Sequence, residues 1–363
     1  MTAALALHRA GIDVTVYEQA PAFTEIGAGM SVWPNATRIL GTLGVLEPVL
    51  AGGETVRQFD LHRPNGTLIS SIPMEGFPTP ALCIHRADLH QAVRAQLPSE
   101  CVVSGHRLAG FVQHHDRVIA RFSGGLEATA DGLVGADGIN SAVRAQIHGP
   151  SEPIYRGYRI WRGIAPETPG TVRGHISETW GPGRRFGIMP MGRGRVCWYA
   201  TRNGKSSEAD APLGRKAEVR ALFGDWHAPI GALIESTDPA DIIRTDAQDR
   251  KPLTRWGEGL VTLLGDAAHP ITPNVGQGAC MAIEDGACLA KCLIGSPDIA
   301  AAFRSYEAKR GPRTGYISRQ ARRIGVIGQW EHPWVVRWRD FVTRLVLSRN
   351  LEMRLNAIYA YEV

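Results

Sequence analysis

"GLVTLLGDAAHPITPNVGQGACMAIEDGACLA", residues 259–290, decides how this chain is read. A buried strand (Val261 to Leu264) runs into Gly265-Asp266. A loop follows, and a long apolar helix opens after Gly276, Gln277, Gly278 and Ala279. Glycine permits close approach to the backbone, and an aspartate at a strand's end can bind sugar or ribityl hydroxyls. The loop "PNVGQGA" exposes backbone N–H groups just before the helix, whose start carries a partial positive charge suited to an electron-rich ring or a developing anion. A plain glycine-rich cap does not require strand, Gly-Asp, loop and helix in this order.

A second stretch, "DGLVGADGINSAVR" (Asp131 to Arg144), has the pattern DG-xxxx-DG-xx-S-xx-R. A strand entering a tight Asp-Gly turn places Asp137 at the carboxyl end of a sheet, where open α/β sheets bind ligands. Ser141 and Arg144 begin a helix whose N-terminus can face a phosphate. The alternative is a strand–turn–helix in which Asp137 simply caps the helix.

The chain's start, "MTAALALHRAGIDVTVYEQA", reads as the second half of a nucleotide-binding unit. It offers a helix (Ala3 to Ala10), a Gly11 turn, a strand (Val14 to Tyr17) and an acidic residue, Glu18. In a Rossmann-type unit such a residue hydrogen-bonds ribose hydroxyls, although a surface glutamate after any strand has the same appearance. The strand and glycine-rich loop that open such a unit are not in these residues.

Between these landmarks, "ADLHQAVRAQL" carries Leu89, Val93 and Leu97 at helical spacing, and "RVIARF" reads as a strand. Strand and helix alternate through the first third, as in an α/β sheet. From "YRIWRGIA" through "HISETWGPGRRFGIMPMGRGRVCWYATRNG", short aromatic and β-branched runs alternate with Gly/Pro turns, which predicts an antiparallel sheet. A helix is expected around "KAEVRALFGDW", and the last third is mostly helical. The Arg/Trp-rich "WVVRWRDFVTRLVLSRNLEMRL" is expected to pack on its own domain with a solvated basic face; an amphipathic helix lying on a membrane is the other reading.

With 363 residues, 44% hydrophobic and 21% charged, the chain can form two domains with substantial cores. The net charge of +5 is spread arginine, which argues against nucleic acid as a partner. No apolar run approaches the roughly 18 residues of a membrane span, and no signal peptide is evident. The six cysteines include no CxxC pair, which suits a reducing cytoplasm, and Cys288 and Cys292 read as one buried helix face.

In order, "VYEQ", "EIGAGMSVWPNATRIL", "IHRADLH", "DGLVGADGINSAVR", "GYRIWRG" and "GDAAHPITPNVGQGACMAIED" resemble the FAD-dependent aromatic hydroxylases, the group A flavoprotein monooxygenases, over nearly the whole chain. "GAGMSVWPN" and "RRFGIMP" are most similar to the urate-hydroxylase and zeaxanthin-epoxidase branch. The resemblance implies an α/β fold: a Rossmann-like FAD-binding domain (1–52, 82–152 and 253–330), an antiparallel β-sheet substrate domain (53–81 and 153–252) and a helical C-terminal segment (331–363). It implies FAD as cofactor and NADPH or NADH as co-substrate. Molecular oxygen would be transferred through a flavin hydroperoxide to hydroxylate or epoxidise an aromatic or unsaturated small molecule. The protein would be a monomer or homodimer in the cytoplasm.

By the same resemblance, Glu18 and Gln19 meet the adenosine side of FAD, and Ser31 lies along the cofactor. Arg86 reaches the linker and phosphates, Asp137 supports FAD and the transient nicotinamide, and Asp266 binds the ribityl or pyrophosphate region. Gly276, Gln277, Gly278 and Ala279 hold the isoalloxazine ring. Arg185 matches an arginine that the urate branch uses on its substrate. That branch has a tyrosine where this chain has Cys197 and an aspartate where it has Asn274, so urate is not the expected substrate. His269 is either a base for a phenolic substrate or a structural loop histidine. In the family the glycine loop runs straight into the first helix, so Met1 is expected to be an internal methionine with the strand and loop upstream. The rival is a truncated or degenerate homologue with impaired FAD binding and no catalysis.

Overall fold

A computed structural model describes residues 1–22, 28–349 and 356–363. Positions 25–27 of the "EIGAG" motif and 350–355 of the C-terminal segment lie outside the described residues.

The helix at the heart of the molecule is Gly278–Ile294, which buries Met281, Ile283 and Leu289. The first helix, Thr2–Arg9, packs against it. The approach is close enough that a Cβ on Gly286 would come within 2.8 Å of the Ala3 nitrogen. Four short strands supply the parallel β-structure expected beside these helices. Val16–Glu18 pairs with Val102–Ser104, and Leu133–Gly135 pairs with Val261–Leu263. Among the described residues these form two separate pairs rather than one sheet. No described strand joins the two pairs.

The larger sheet has seven strands in the order Ile243–Asp249, Ile154–Pro166, Arg195–Asn203, Arg184–Met191, His175–Gly181, Gln58–His62 and Leu68–Pro73. Only the pairing of His175–Gly181 with Gln58–His62 is parallel; the others are antiparallel, as the aromatic and Gly/Pro patterning predicts. Trp161, Phe186 and Trp198 leave this sheet to pack with Phe223, Ile230 and Ile234 of the helices Gly214–Phe223 and Ile230–Ser236. The rings of Phe186 and Trp198 stack with centroids 5.5 Å apart.

The Ile299–Gly328 helix is capped at its start by Asp298, whose carboxylate accepts from the Ala301 amide at 3.1 Å. It leads to the last long helix, Pro333–Arg349, which lies against the edge strand Leu68–Pro73. The helix packs on its own domain with Arg337 and Arg344 solvated, yet the residues it turns inward are polar. Arg339 and Asp340 are the buried residues, while Trp334, Trp338 and Phe341 are 71%, 59% and 63% exposed. The cause is pairing: Asp340 accepts from Arg339 at 2.9 Å and from Arg63 at 2.8 Å, and the Arg339 guanidinium lies 5.1 Å from the Trp180 ring centre.

A glycine sets the tightest contact of the large sheet. A Cβ on Gly163 would sit 2.5 Å from Cζ2 of the buried Trp198, whose indole N–H donates to Thr237 at 2.8 Å. The ring is pinned, so Gly163→Ala is expected to cost about 1–3 kcal/mol by overpacking. An unchanged urea midpoint would show that the ring can move aside.

Candidate active site

The Gly265–Ala267 turn follows the Val261–Leu263 strand, and Gly265 adopts φ +61°. Its amide donates to the Asp285 carboxylate at 3.0 Å. The same carboxylate oxygen meets Nε2 of His269 at 2.6 Å, and its partner oxygen accepts from Arg310 Nε at 2.7 Å. Arg310 also donates to Glu284 at 2.6 Å, and Glu284 takes the Asn35 amide at 2.6 Å and Arg313 at 3.1 Å. Asn35 closes the circuit on Gln277 at 3.0 Å. Asn35, Gln277, Glu284, Asp285 and Arg310 have no exposed surface. Burial alone would raise the Asp285 carboxyl, but His269 and Arg310 hold it down at about 2. Burial likewise disfavours the Arg310 cation, yet Asp285 and Glu284 raise its pKa above the ordinary value.

This network holds two loops of the site. The first carries Asp266, which is exposed to solvent. Desolvation raises its carboxyl, against the pull of His269 and Arg86. Arg86 begins the helix Arg86–Arg94 and is exposed. Its charge also reaches His90, whose pKa falls to about 4 through burial first and then the positive Met1 amino group, Arg86 and Arg94; Glu18 opposes the shift. Arg86 is thus within electrostatic reach of both Asp266 and His90, and Glu18 within reach of His90. Glu18 accepts from the Ala20 amide at 2.9 Å, and Gln19 beside it is exposed.

The second loop is Pro273–Val275 with Gly276, which is left-handed at φ +61°. Its carbonyl accepts from the Trp33 indole at 3.1 Å. A Cβ on Gly276 would lie 2.5 Å from Ser31 Oγ, so Ser31 and this loop are brought together. A Cβ on Gly278, at the helix start, would meet nothing within 4 Å. The amides of Gly278 and Ala279 belong to the first turn, whose N–H groups have no partner within the helix. A surface hollow of about 300 Å³ lined by Thr55, Arg57, Met74, Phe77 and Pro80 includes none of these residues.

Asp137 stands apart as a helix-start acceptor: its carboxylate takes the Ala142 and Val143 amides at 2.7 and 3.2 Å. Ser141 caps the same helix through the Arg144 amide at 2.9 Å. The Arg144 guanidinium donates to the carbonyls of Ala267 and Ala268, both at 3.1 Å, which fastens the DG motif to the Gly265-Asp266 turn.

Arg185 and Asn274 meet directly. The Arg185 guanidinium donates to Asn274 at 2.6 Å, Gln329 at 2.9 Å and Glu178 at 3.3 Å. Asn274 also bonds the Tyr158 hydroxyl and the Ala321 carbonyl. Cys197 lies elsewhere, its sulfur accepting from the Gly29 amide at 3.2 Å. His269 is buried on Asp285, and its Nδ1 has no hydrogen-bond partner. Sequence reasoning assigned no role to Asn35, Tyr158, Glu284, Asp285, Arg310 or Arg313. The available signal was two adjacent acids within an apolar helix and two arginines three apart on the next.

The family described as "FAD binding domain" matches residues 1–320. The chain belongs to this family. It is 40% identical to the aurachin C monooxygenase/isomerase of Stigmatella aurantiaca over 98% of this chain and 93% of that protein. It is 35% identical to the 3-amino-4-hydroxybenzoate 2-monooxygenase of Streptomyces cremeus, covering 89% of this chain and 84% of the relative. The structure of Klebsiella pneumoniae HpxO with FAD and uric acid superposes with a TM-score of 0.91 at 28% identity, over 99% of this chain and 92% of that one. The protein is an FAD-dependent monooxygenase acting on an aromatic or unsaturated small molecule, and NAD(P)H is the co-substrate typical of the family. The degenerate-homologue reading is not favoured.

The residues present fit FAD. A Cβ on Gly278 would meet open space, the first-turn amides of its helix have no partner within the helix, and Asp266 and Arg86 supply polar groups, a set suited to a flavin nucleotide. Asp285→Asn leaves Arg310 half-paired in a dry interior, which should cost about 3–5 kcal/mol. Because the native Asp285 pKa lies below that of the unfolded chain, its contribution is present above about pH 4 and is lost as pH falls toward 2. Urea titrations from pH 7 to 2 should therefore show a steeper acid loss in wild type than in Asp285→Asn. Parallel curves would exclude this group as a source of acid sensitivity.

Proposed function

We propose that this monooxygenase acts on an uncharged, ring-based substrate rather than on a carboxylate or urate. The observation that carries this reading is the engagement of Arg185: Glu178, Gln329 and Asn274 take its donors, with Glu178 supplying the countercharge. A cation so committed has little left to offer an anionic substrate, and pulling it free would leave Glu178 buried without its partner. The 40%-identical relative is named for aurachin C, which makes that compound the first to test.

In this reading FAD lies between Glu18, Arg86 and Asp266 at one end and Gly276, Gln277, Gly278 and Ala279 at the other. Ser31 flanks it, and Gln19 and Asp137 lie toward its outer parts. When bound, the flavin supplies reduction by NAD(P)H and activation of molecular oxygen for insertion into the substrate. The chain's own contribution is positional. The helix N-terminus would offer the ring a partial positive charge, and the Arg185–Asn274–Tyr158 cluster fixes the neighbouring loop. The seven-stranded sheet supports assigning 53–81 and 153–252 to the substrate domain, with 1–52, 82–152 and 253–330 forming the FAD domain. His269 acts as a loop support through Asp285 rather than as a substrate base. The free thiols suit a cytoplasmic enzyme, working as monomer or homodimer.

The test is substrate-stimulated NADH and NADPH oxidation with the FAD-loaded protein. Aurachin C or another neutral fused-ring compound should accelerate oxidation with oxygen-dependent product formation. Urate and 3-amino-4-hydroxybenzoate should give at most background. Coupled hydroxylation of either anion would overturn the assignment.

A further inference from the structure

The Pro333–Arg349 helix is built inside out for a helix that only packs on its own protein. Trp334, Trp338, Phe341 and Leu345 recur at i, i+4, i+7 and i+11, which confines them to an arc of about 60° along some 17 Å of helix. All four are exposed, at 71%, 59%, 63% and 43%. Soluble surfaces carry apolar residues singly, whereas a contiguous stripe marks a contact surface. Exposed Arg337 and Arg344 lie along one flank of the stripe. The Arg337 guanidinium lies 5.2 Å from the Trp334 ring centre. The helix has a single acidic residue, Asp340, which is buried on the opposite side with Arg339 and Arg63.

We propose that this face docks on an anionic phospholipid surface, holding the enzyme peripherally on a bilayer. The chemistry is that of an interfacial helix: Trp and Phe enter the headgroup boundary, and arginines meet lipid phosphates. Charge selects this occupant over a second copy of the chain. In a symmetric helix-to-helix contact Arg337 and Arg344 would meet the same residues of the partner, with no exposed acid on either helix to neutralise them. The helix is not long and apolar enough to cross a membrane, so the contact lies in the surface plane.

The experiment uses the full chain with vesicles of equal parts phosphatidylglycerol and phosphatidylcholine, followed by sedimentation and tryptophan fluorescence. Wild type should sediment with the vesicles, with emission shifted to the blue, and should bind pure phosphatidylcholine more weakly. Arg337→Glu with Arg344→Glu should weaken binding at least about tenfold, and raised salt should do the same. Trp334→Ala with Trp338→Ala and Phe341→Ala should abolish it while flavin content is retained. If that triple variant misfolds, the arginine pair, which alters only exposed side chains, decides the matter. Absence of vesicle binding by wild type would overturn the proposal. So would a wild-type dimer that the triple variant converts to monomer without any vesicle binding.

Discussion

The buried pairing of Asp285 with Arg310 is the constraint on which the site depends. Both side chains are shut away from water, so neither charge is tolerable without the other. Their positions fix more than each other. Through the Gly265 amide and His269, Asp285 sets the turn that presents Asp266. Through Glu284, Asn35 and Gln277, the same ions reach the Gly276 loop. One ionic cluster thus orients the two chain segments that the proposed reading assigns to the cofactor. Preorganised loops of this kind hold their backbone donors in place before a ligand arrives, which lowers the ordering cost of binding.

A separate polar junction ties the large sheet to the glycine loop. Arg185 comes from the large sheet, Asn274 from the glycine loop and Gln329 from the end of the Ile299–Gly328 helix. Close approach there depends on missing side chains: a Cβ on Gly325 would lie 2.5 Å from Asn274 Nδ2, and one on Gly328 would lie 2.8 Å from Arg185 Cδ. Substitutions at these helix glycines would therefore act on the loop and the sheet together. The arginine that the urate resemblance assigns to substrate is spoken for by the protein, and Tyr158 stands beside it where sequence comparison directed attention to Cys197.

Much of the fold could be read from local pattern. The aromatic and Gly/Pro alternation of the middle segment gave the antiparallel sheet, and "GLVTLLGD" gave the Val261–Leu263 strand and its turn. The long helix expected after the glycine loop spans Gly278–Ile294. What was not legible depends on pairing between distant residues. Glu284 and Asp285 look misplaced in an apolar helix until Arg310 and Arg313, some 25 residues later, fold onto them. Periodicity showed that the last helix is amphipathic but not which face turns inward; Arg63 and Trp180, remote in sequence, decide that. Asp137 illustrates a third limit, since a motif aspartate and a helix-capping aspartate are the same residue in sequence and differ only in what they bond.

If the proposed site is right, the Asp285–Arg310 network holds the loops assigned to FAD in their binding geometry. FAD titration of Arg310→Lys, followed by quenching of flavin fluorescence, tests it most directly. Lysine keeps the charge but offers its N–H donors from a single nitrogen, so it does not reproduce the fork by which Arg310 reaches Asp285 through Nε and Glu284 through a terminal nitrogen. FAD affinity should fall at least about tenfold, with the far-ultraviolet circular dichroism of the wild type. FAD binding as tight as wild type in a correctly folded Arg310→Lys protein would contradict it.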